Sequence, residues 1–354
     1  MEPVDNAPTR TQRPVGYVVP DKIHEPLYVV TTVTNPLRWK NRWKRYEQFA
    51  KHVADSGGVL YTVEVAFGER DHAIGHAARD EWRAKCDFEE RMIREHRWIQ
   101  LRVEDEIWTK EAALNVGVSR LPADWKYVAW VDADVLFQRP NWVGECIHQL
   151  QHYEFLQMFS HAQDLGPDYA VINAKPSFVH AYLGNTLPLT GGEYPYYYGK
   201  RKGFGAWSGL AWACKRRAWD HVGGLMNFCI TGAADWYMAF ALIGKAERVV
   251  PKNSHPRFRE AILRWQELAE RHVRRNVGVM TGSISHLWHG PKRDRKYVDR
   301  SLLLGDLQFD PSRDMKFDWQ GMPHLCDDGT ERFIDLRDGI RQWFRGRNED
   351  SSDL

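Results

Sequence analysis

Apolar residues along the first half of the chain switch repeatedly between two rhythms. Residues 27–34 are rich in β-branched side chains and stop at Asn35-Pro36, which predicts a strand. Trp39, Trp43, Tyr46, Phe49, Ala50 and Val53 then recur at helical spacing, which predicts a helix over 39–54. Strands are expected at 59–67, after Gly57-Gly58, at 98–103 and at 127–131, with a helix over 107–118. Strands alternating with helices imply an α/β fold with a parallel or mixed sheet covered on both faces. In such sheets ligands gather beyond the carboxyl ends of the strands. The second half changes character. Residues 186–209 are dense in Gly, Pro and Tyr and are expected to form long loops, often functional in compact domains. Helices are expected at 215–222, 234–243 and 257–275, followed by a short apolar segment that reaches Ser285-His286-Leu287-Trp288-His289. The Pro-containing, polar segment 1–26 is expected to be an irregular lead-in, 27–300 the main domain, and 301–354 a C-terminal extension whose charged end, 345–354, frays.

The 127–131 strand runs into Asp132-Ala133-Asp134 and then into apolar Val135-Leu136-Phe137. Two carboxylates one residue apart, between apolar stretches, repel each other unless a cation lies between them. Hard oxygen ligands suit Mg2+ or Mn2+, ions that keep positions open for phosphate oxygens. Three further places carry candidate chemistry. Lys110 sits near the start of the helix before that strand, where it opposes the helix dipole unless it serves an anion such as a diphosphate. His286 and His289 point to opposite faces if the strand stays regular, so only one, preferably His289 beside Gly290-Pro291, is expected to join the carboxylates. Asp235 opens an apolar helix and is either its N-cap or a general base. After His289 the run Lys292, Arg293, Arg295, Lys296 is a solvated loop or a holder of negative charge.

Bulk properties add limits. The 354 residues carry a formal charge of only +2, so no global field points to nucleic acid or a membrane surface. The five cysteines, Cys86, Cys146, Cys214, Cys229 and Cys326, have no CxxC spacing and are expected to be reduced packing residues. The opening residues lack a basic stretch followed by an apolar one, and no later run has membrane-spanning length, so a cytoplasmic protein is expected. Sixteen tryptophans suit both sugar faces and ordinary cores.

Taken in order, these motifs resemble those of metal-dependent, nucleotide-sugar-using glycosyltransferases of the GT-A fold, including the galactosyltransferases and family 2. Asp132-Ala133-Asp134 is similar to the DxD signature, and Trp108 to Asn115 to the helix before it. Phe204-Gly205-Ala206-Trp207-Ser208-Gly209, Gly223-Gly224 and Gly232-Ala233-Ala234-Asp235 follow in the galactosyltransferase order of FGGVSA, NGF and GGEDD, and His289 resembles that group's late metal-binding histidine. The similarity spans roughly residues 27–300, a domain-sized length. In place of the family's Glu-Asp pair this chain has Ala233-Ala234 and then Asp235.

The resemblance implies a mainly parallel mixed sheet flanked by helices and transfer of a sugar, with inversion, from a nucleotide-sugar such as a UDP-sugar to an acceptor hydroxyl. It implies Mn2+ or Mg2+ held by Asp132, Asp134 and His289 or His286. Thr32, Thr34, Asn35, Arg38, Lys110, Asn115, Lys292 and Arg293 would contact the donor. Trp207, Ser208, Gly209, Asp235 and Trp236 would contact the acceptor, with Asp235 as base and the 186–207 loops closing over both. The acceptor could be a carbohydrate, a glycolipid or, if the basic clusters 200–202, 215–217, 271–275 and 292–300 share a face, modified DNA. Two other functions stay open. One is a sugar- or nucleotide-sugar-binding scaffold without turnover; the other is nucleotidyl transfer, which the absence of a Gly-rich loop after the first strand disfavours.

Overall fold

The computed structural model describes residues 25–73, 97–187 and 205–353. Nearly all of the 1–26 lead-in, Cys86, most of the 186–209 loops and the 200–202 cluster lie outside them. In chain order the elements are β1 (Leu27–Thr34), α1 (Lys40–Asp55), β2 (Val59–Phe67), β3 (Trp98–Val103), α2 (Lys110–Ser119), β4 (Tyr127–Val131), β5 (Val135–Phe137), α3 (Trp142–Leu150), β6 (Phe155–Gln157), β7 (His161–Leu165), β8 (Val171–Pro176) and α4 (Phe178–Leu183). There follow β9 (Ala211–Lys215), α5 (Arg216–Val222), α6 (Ala234–Leu242), α7 (Pro256–His272), β10 (Val277–Val279), β11 (Ser283–His286), α8 (Tyr297–Asp306), β12 (Met315–Phe317), β13 (Pro323–Leu325) and α9 (Glu331–Arg345).

Seven strands form the central sheet in the order β10-β6-β9-β4-β1-β2-β3, and only β9 runs against the rest. The protein is therefore a mixed, mainly parallel α/β fold. Its strands alternate between two cores. Val30, Trp130, Trp212 and Phe155 face the helical layer that includes α2, α6, α7 and α9, whereas Val29, Ala129, Ala213 and Leu156 face α1 and α3. Helices on both faces of a sheet explain why these strands read as continuous apolar runs.

A smaller sheet, β5-β11-β7-β8, starts where β4 ends. The Asp132 amide donates to Leu210 O (2.8 Å) and the chain turns, so that β5 leaves the central sheet and pairs antiparallel with β11. Asp132-Ala133-Asp134 is the corner between the two sheets. Helix α7 ends earlier than its spacing predicts because Arg274 and Arg275 adopt left-handed backbone (φ 55° and 59°), which reverses the chain toward β10.

The expectation of a frayed C-terminus is corrected. Phe333, Leu336, Ile340 and Trp343 of α9 join the main core, and the strap after it lies across α1 and the β11 loop. Arg347 and Glu349 are 6% and 2% exposed. Trp288 Nε1 donates to Ser351 O (2.6 Å), and Asn41 Nδ2 to Glu349 O (3.0 Å). Gly290 makes this approach possible: a Cβ there would lie 2.3 Å from Asn348 O. Charge in this tail is matched by buried partners, which is why composition alone misjudges it.

Helix α1 lacks a cap of its own, since Trp39 supplies no side-chain acceptor. Asp350 replaces it from the strap, accepting from the amides of Lys40 (3.0 Å) and Asn41 (2.8 Å). Asp350→Ala is expected to lower unfolding free energy by about 1 kcal/mol, the usual value of an N-cap, measured by urea denaturation.

Candidate functional site

The sheet corner opens into a cavity of about 370 Å3 at the carboxyl ends of β1 and β4. Asp134 enters it from the corner, and the β5–β11 pairing delivers two histidines to the same place. His286 is the last residue of β11, opposite Val135, and the Leu287 amide donates to Asp134 O (2.8 Å). His289 lies beyond the strand end, so the opposite-face rule does not apply. Both rings reach Asp134, at 3.7 Å from His286 Nε2 and 3.2 Å from His289 Nε2, which corrects the expectation that only one would. Suitable ligand atoms of the three residues lie within 4.8 Å of one another.

Hydrogen bonding fixes what these atoms offer. The Asp164 carboxylate can only accept, so His286 Nδ1 donates to it (2.9 Å), which turns the Nε2 side of the ring toward the cavity. Arg295 can only donate, so His289 Nε2 accepts from it (2.6 Å). Burial, reinforced by the Arg295 charge, lowers His289 to about 4 and keeps that ring neutral. The two Nε2 atoms therefore meet at 3.2 Å beside Asp134 Oδ1, a buried oxygen with no hydrogen-bond partner. Two imidazole nitrogens and a carboxylate converging in this way suit a divalent cation, with open positions for a ligand. In the structure the Arg295 guanidinium occupies the fourth side of this set.

Carboxylates back both rings. Asp164, 2% exposed, also accepts from Asn173 (3.0 Å) and pairs with Lys292; although burial pushes its pKa up, the bonds from His286 and Lys292 hold it well below the usual range. Glu349 lies 3.7 Å from His289 Nδ1 and is clamped by Arg42 and Arg347. Carboxylates behind metal-ligating imidazoles set ring orientation and basicity. Asp134 is likewise held low: burial opposes ionisation, but the charges of His289 and His286 when they carry a proton, and of Arg42 and Arg295, outweigh it.

Asp132 takes a different position from its neighbour. It pairs with Lys110, the first residue of α2, and burial raises its pKa against that pairing. Asp132 thus stands outside the three-residue group, and the Lys110 charge is directed at it. Asp235 lies in the first turn of α6 but does not cap it. Ala233 occupies the N-cap position without a side-chain bond, and Asp235 instead accepts from Ser208 Oγ (3.0 Å). Gly209 lets it do so, since a Cβ there would lie 2.5 Å from Asp235 Oδ2.

Among the other sequence candidates, Thr32, Thr34, Trp207, Ser208, Gly209, Trp236 and Lys292 line the cavity. Four are corrected. The Asn35 side chain brackets the backbone of Trp39 (2.8 and 2.9 Å), and Arg38 donates to Asp71 O (3.0 Å) in a separate recess. Asn115 is spent on the backbone of Leu225 (2.9 and 3.0 Å), and Arg293 is 63% exposed, away from the cavity wall. Lys215 and Arg217 of the basic clusters are tied to buried Glu154. The cavity also contains Trp108, Arg42, Arg45, Arg300, Glu111 and Arg347, which sequence reasoning did not assign to it. Arg42 and Arg45 lie one turn apart on α1, a weak sequence signal; Arg347 carries none.

No family model matches the chain, and no curated protein matches it. Among solved structures it is similar to the catalytic domain of Drosophila β1,4-galactosyltransferase 7 in complex with xylobiose, at 11% identity and a TM-score of 0.35, over 87% of this chain and 98% of that one. A mutant of the same enzyme with manganese, UDP-Gal and xylobiose gives 12% identity and 0.36 over 88% and 99%. A putative nucleotide-diphospho-sugar transferase from Desulfovibrio desulfuricans gives 10% and 0.29 over 89% and 97%. No helix among the described residues is long and apolar enough to cross a membrane, and Cys146, Cys214, Cys229 and Cys326 are free thiols.

Glu111 gives the site a measurable pH signature. Burial, with Asp235 adding to it and Lys110 opposing, raises its pKa from 4.5 to about 7. The folded state therefore holds this proton more tightly than the unfolded chain. Its stabilising contribution is complete below about 4.5 and is lost as pH rises to about 7, an effect on the order of 3 kcal/mol. Glu111→Gln keeps an acceptor for Trp108 Nε1 (2.8 Å) while removing the titration. Its stability relative to wild type is expected to rise across that window, followed by urea unfolding at successive pH values.

Proposed function

We propose that the chain is a divalent-metal-dependent glycosyltransferase that moves a sugar from a nucleotide-sugar donor, a UDP-sugar being the first candidate, to an acceptor hydroxyl with inversion. The observation that carries this proposal is the convergence of two imidazole Nε2 atoms on the unpartnered Asp134 oxygen at the carboxyl end of β4. Asp134, His286 and His289 would hold Mn2+ or Mg2+, which when bound supplies Lewis-acid charge compensation to a departing diphosphate. Arg295, which donates to His289 Nε2, would give up that contact to a bound metal, and its guanidinium fork has the geometry to bond phosphate oxygens.

At the other end of the cavity Asp235 takes the acceptor proton. The acceptor oxygen forms its bond to the anomeric carbon as the bond from that carbon to the diphosphate breaks, and the electron pair leaves with the nucleotide. Ser208 donates to one Asp235 oxygen and so orients the carboxylate. The Lys110–Asp132 pair lies between the two ends of the chemistry, and Trp207 and Trp236 offer aromatic walls for sugar rings.

The test is a thermal-shift and donor-hydrolysis screen against nucleotide sugars with and without manganese. Stabilisation by one donor only when metal is present is the expected result; no stabilisation by any donor would sink the proposal. Asp134→Ala should reduce metal-dependent turnover on the order of 1,000-fold, as several kcal/mol of charge stabilisation are lost. Asp235→Asn should lower kcat by about 100-fold or more with donor affinity retained. Glu349→Gln should weaken Mn2+ binding by about 10- to 100-fold, read by calorimetric titration, if its carboxylate orients His289.

A further inference from the structure

One buried carboxyl on the cavity wall, Glu111, takes no part in the proposed transfer. It is 7% exposed and stands in the first turn of α2. The head of α2 is fastened to the segment before α6, where the Trp108 amide donates to Ile230 O (2.9 Å). Glu111 and Asp235, each in the first turn of its helix, are thereby brought to one place. Trp108 Nε1 donates to Glu111 Oε2 (2.8 Å) and Ser208 Oγ to Asp235 Oδ2 (3.0 Å), so both carboxyls are fixed in orientation.

Both residues also line a recess of about 20 Å3 that adjoins the main cavity. Lys110 and Asp132 complete its polar side, and Leu114 and Met238 lie on its apolar one. A volume of that size holds one water molecule, and polar partners are what keep a water in such a place. The charges around Glu111 are mixed. Lys110, its neighbour on α2, pairs with Asp132 of the sheet corner, while Asp235 acts on it from α6. The buried Cys229 thiol is pushed up by burial and by the charges of Glu111 and Asp235, and Arg300 of α8 lies 5.9 Å over the Trp108 indole that bonds Glu111. Burial raises Glu111, Lys110 opposes and Asp235 adds; the balance, at about 7, lets this carboxyl both take up and release a proton at neutral pH.

We propose that the proton taken by Asp235 passes through a water in this recess to Glu111, which returns it to solvent across the cavity. The acceptor O–H bond breaks as its oxygen bonds the anomeric carbon, and Asp235 gains the proton. Asp235 passes it to the water, the water gives one of its own protons to the Glu111 carboxylate, and Asp235 is ionised again for the next acceptor. Glu111 must be ionised to accept, so turnover rises as pH rises through about 7. The inference rests on the glycosyltransferase proposal and adds to it a second proton acceptor that works through Asp235.

The experiment follows donor hydrolysis, in which water is the acceptor, by the full chain against pH, with UDP-sugars and saturating Mn2+. Wild-type kcat is expected to show an inflection near 7 that Glu111→Gln lacks. In that variant kcat should fall by about 10-fold with the donor KM unchanged. In mixtures of H2O and D2O, wild-type kcat should fall along a curve, the mark of more than one proton in flight, and that of Glu111→Gln along a straight line. Asp235→Asn should move the titration of Glu111, read by NMR of its carboxyl carbon, to lower pH, a measurement that needs no turnover. Glu111→Gln with wild-type kcat, or with lower kcat and the inflection intact, would overturn the relay and leave the glycosyltransferase proposal standing. So would a Glu111 titration indifferent to Asp235→Asn. Hydrolysis of no donor by the wild type would sink both.

Discussion

Everything at the site follows from one constraint: the Nε2 atoms of His286 and His289 converge at 3.2 Å beside the Asp134 carboxylate. The fold sets the Arg295 guanidinium against His289 Nε2, ties His286 Nδ1 to Asp164 and places Glu349 3.7 Å from His289 Nδ1. The arrangement depends on strand pairing more than on local sequence. Asp134 and His286 are 152 residues apart yet adjacent, because β5 pairs with β11 just beyond the point where the central sheet ends.

Much of the α/β architecture could be read from residue periodicity, since fully buried parallel strands and amphipathic helices leave distinct apolar rhythms. The strands over 27–34, 59–67, 98–103 and 127–131 were legible for that reason. What could not be read was where polar side chains spend their hydrogen bonds. Asn35, Arg38 and Asn115 lie in segments that carry ligand-like residues, but each satisfies a backbone group elsewhere. Asp235 was ambiguous between cap and base because both uses favour the same residue at a helix start; in the structure it bonds Ser208 and does not cap α6. His289 was legible through the Gly290-Pro291 stop. His286 was misjudged because a strand's alternation was extended past its last paired residue.

Charge shows the same limit more sharply. A nearly neutral chain gives no hint that eight cations among the described residues line one cavity. They come from α1, α2, β8, the segment after β11, α8 and the C-terminal strap, and no window of sequence contains them together. The tail was the most misleading segment: its acidic and basic residues have the composition of a solvated end, yet Arg347 and Glu349 are among the most buried charges described.

That strap couples two parts of the molecule that are far apart in sequence. Neighbouring residues divide the work, Glu349 facing the His289 ring and Asp350 holding the head of α1, so the seat of the helix and the setting of the ring are not independent variables. A change that lifts the strap disturbs both at once.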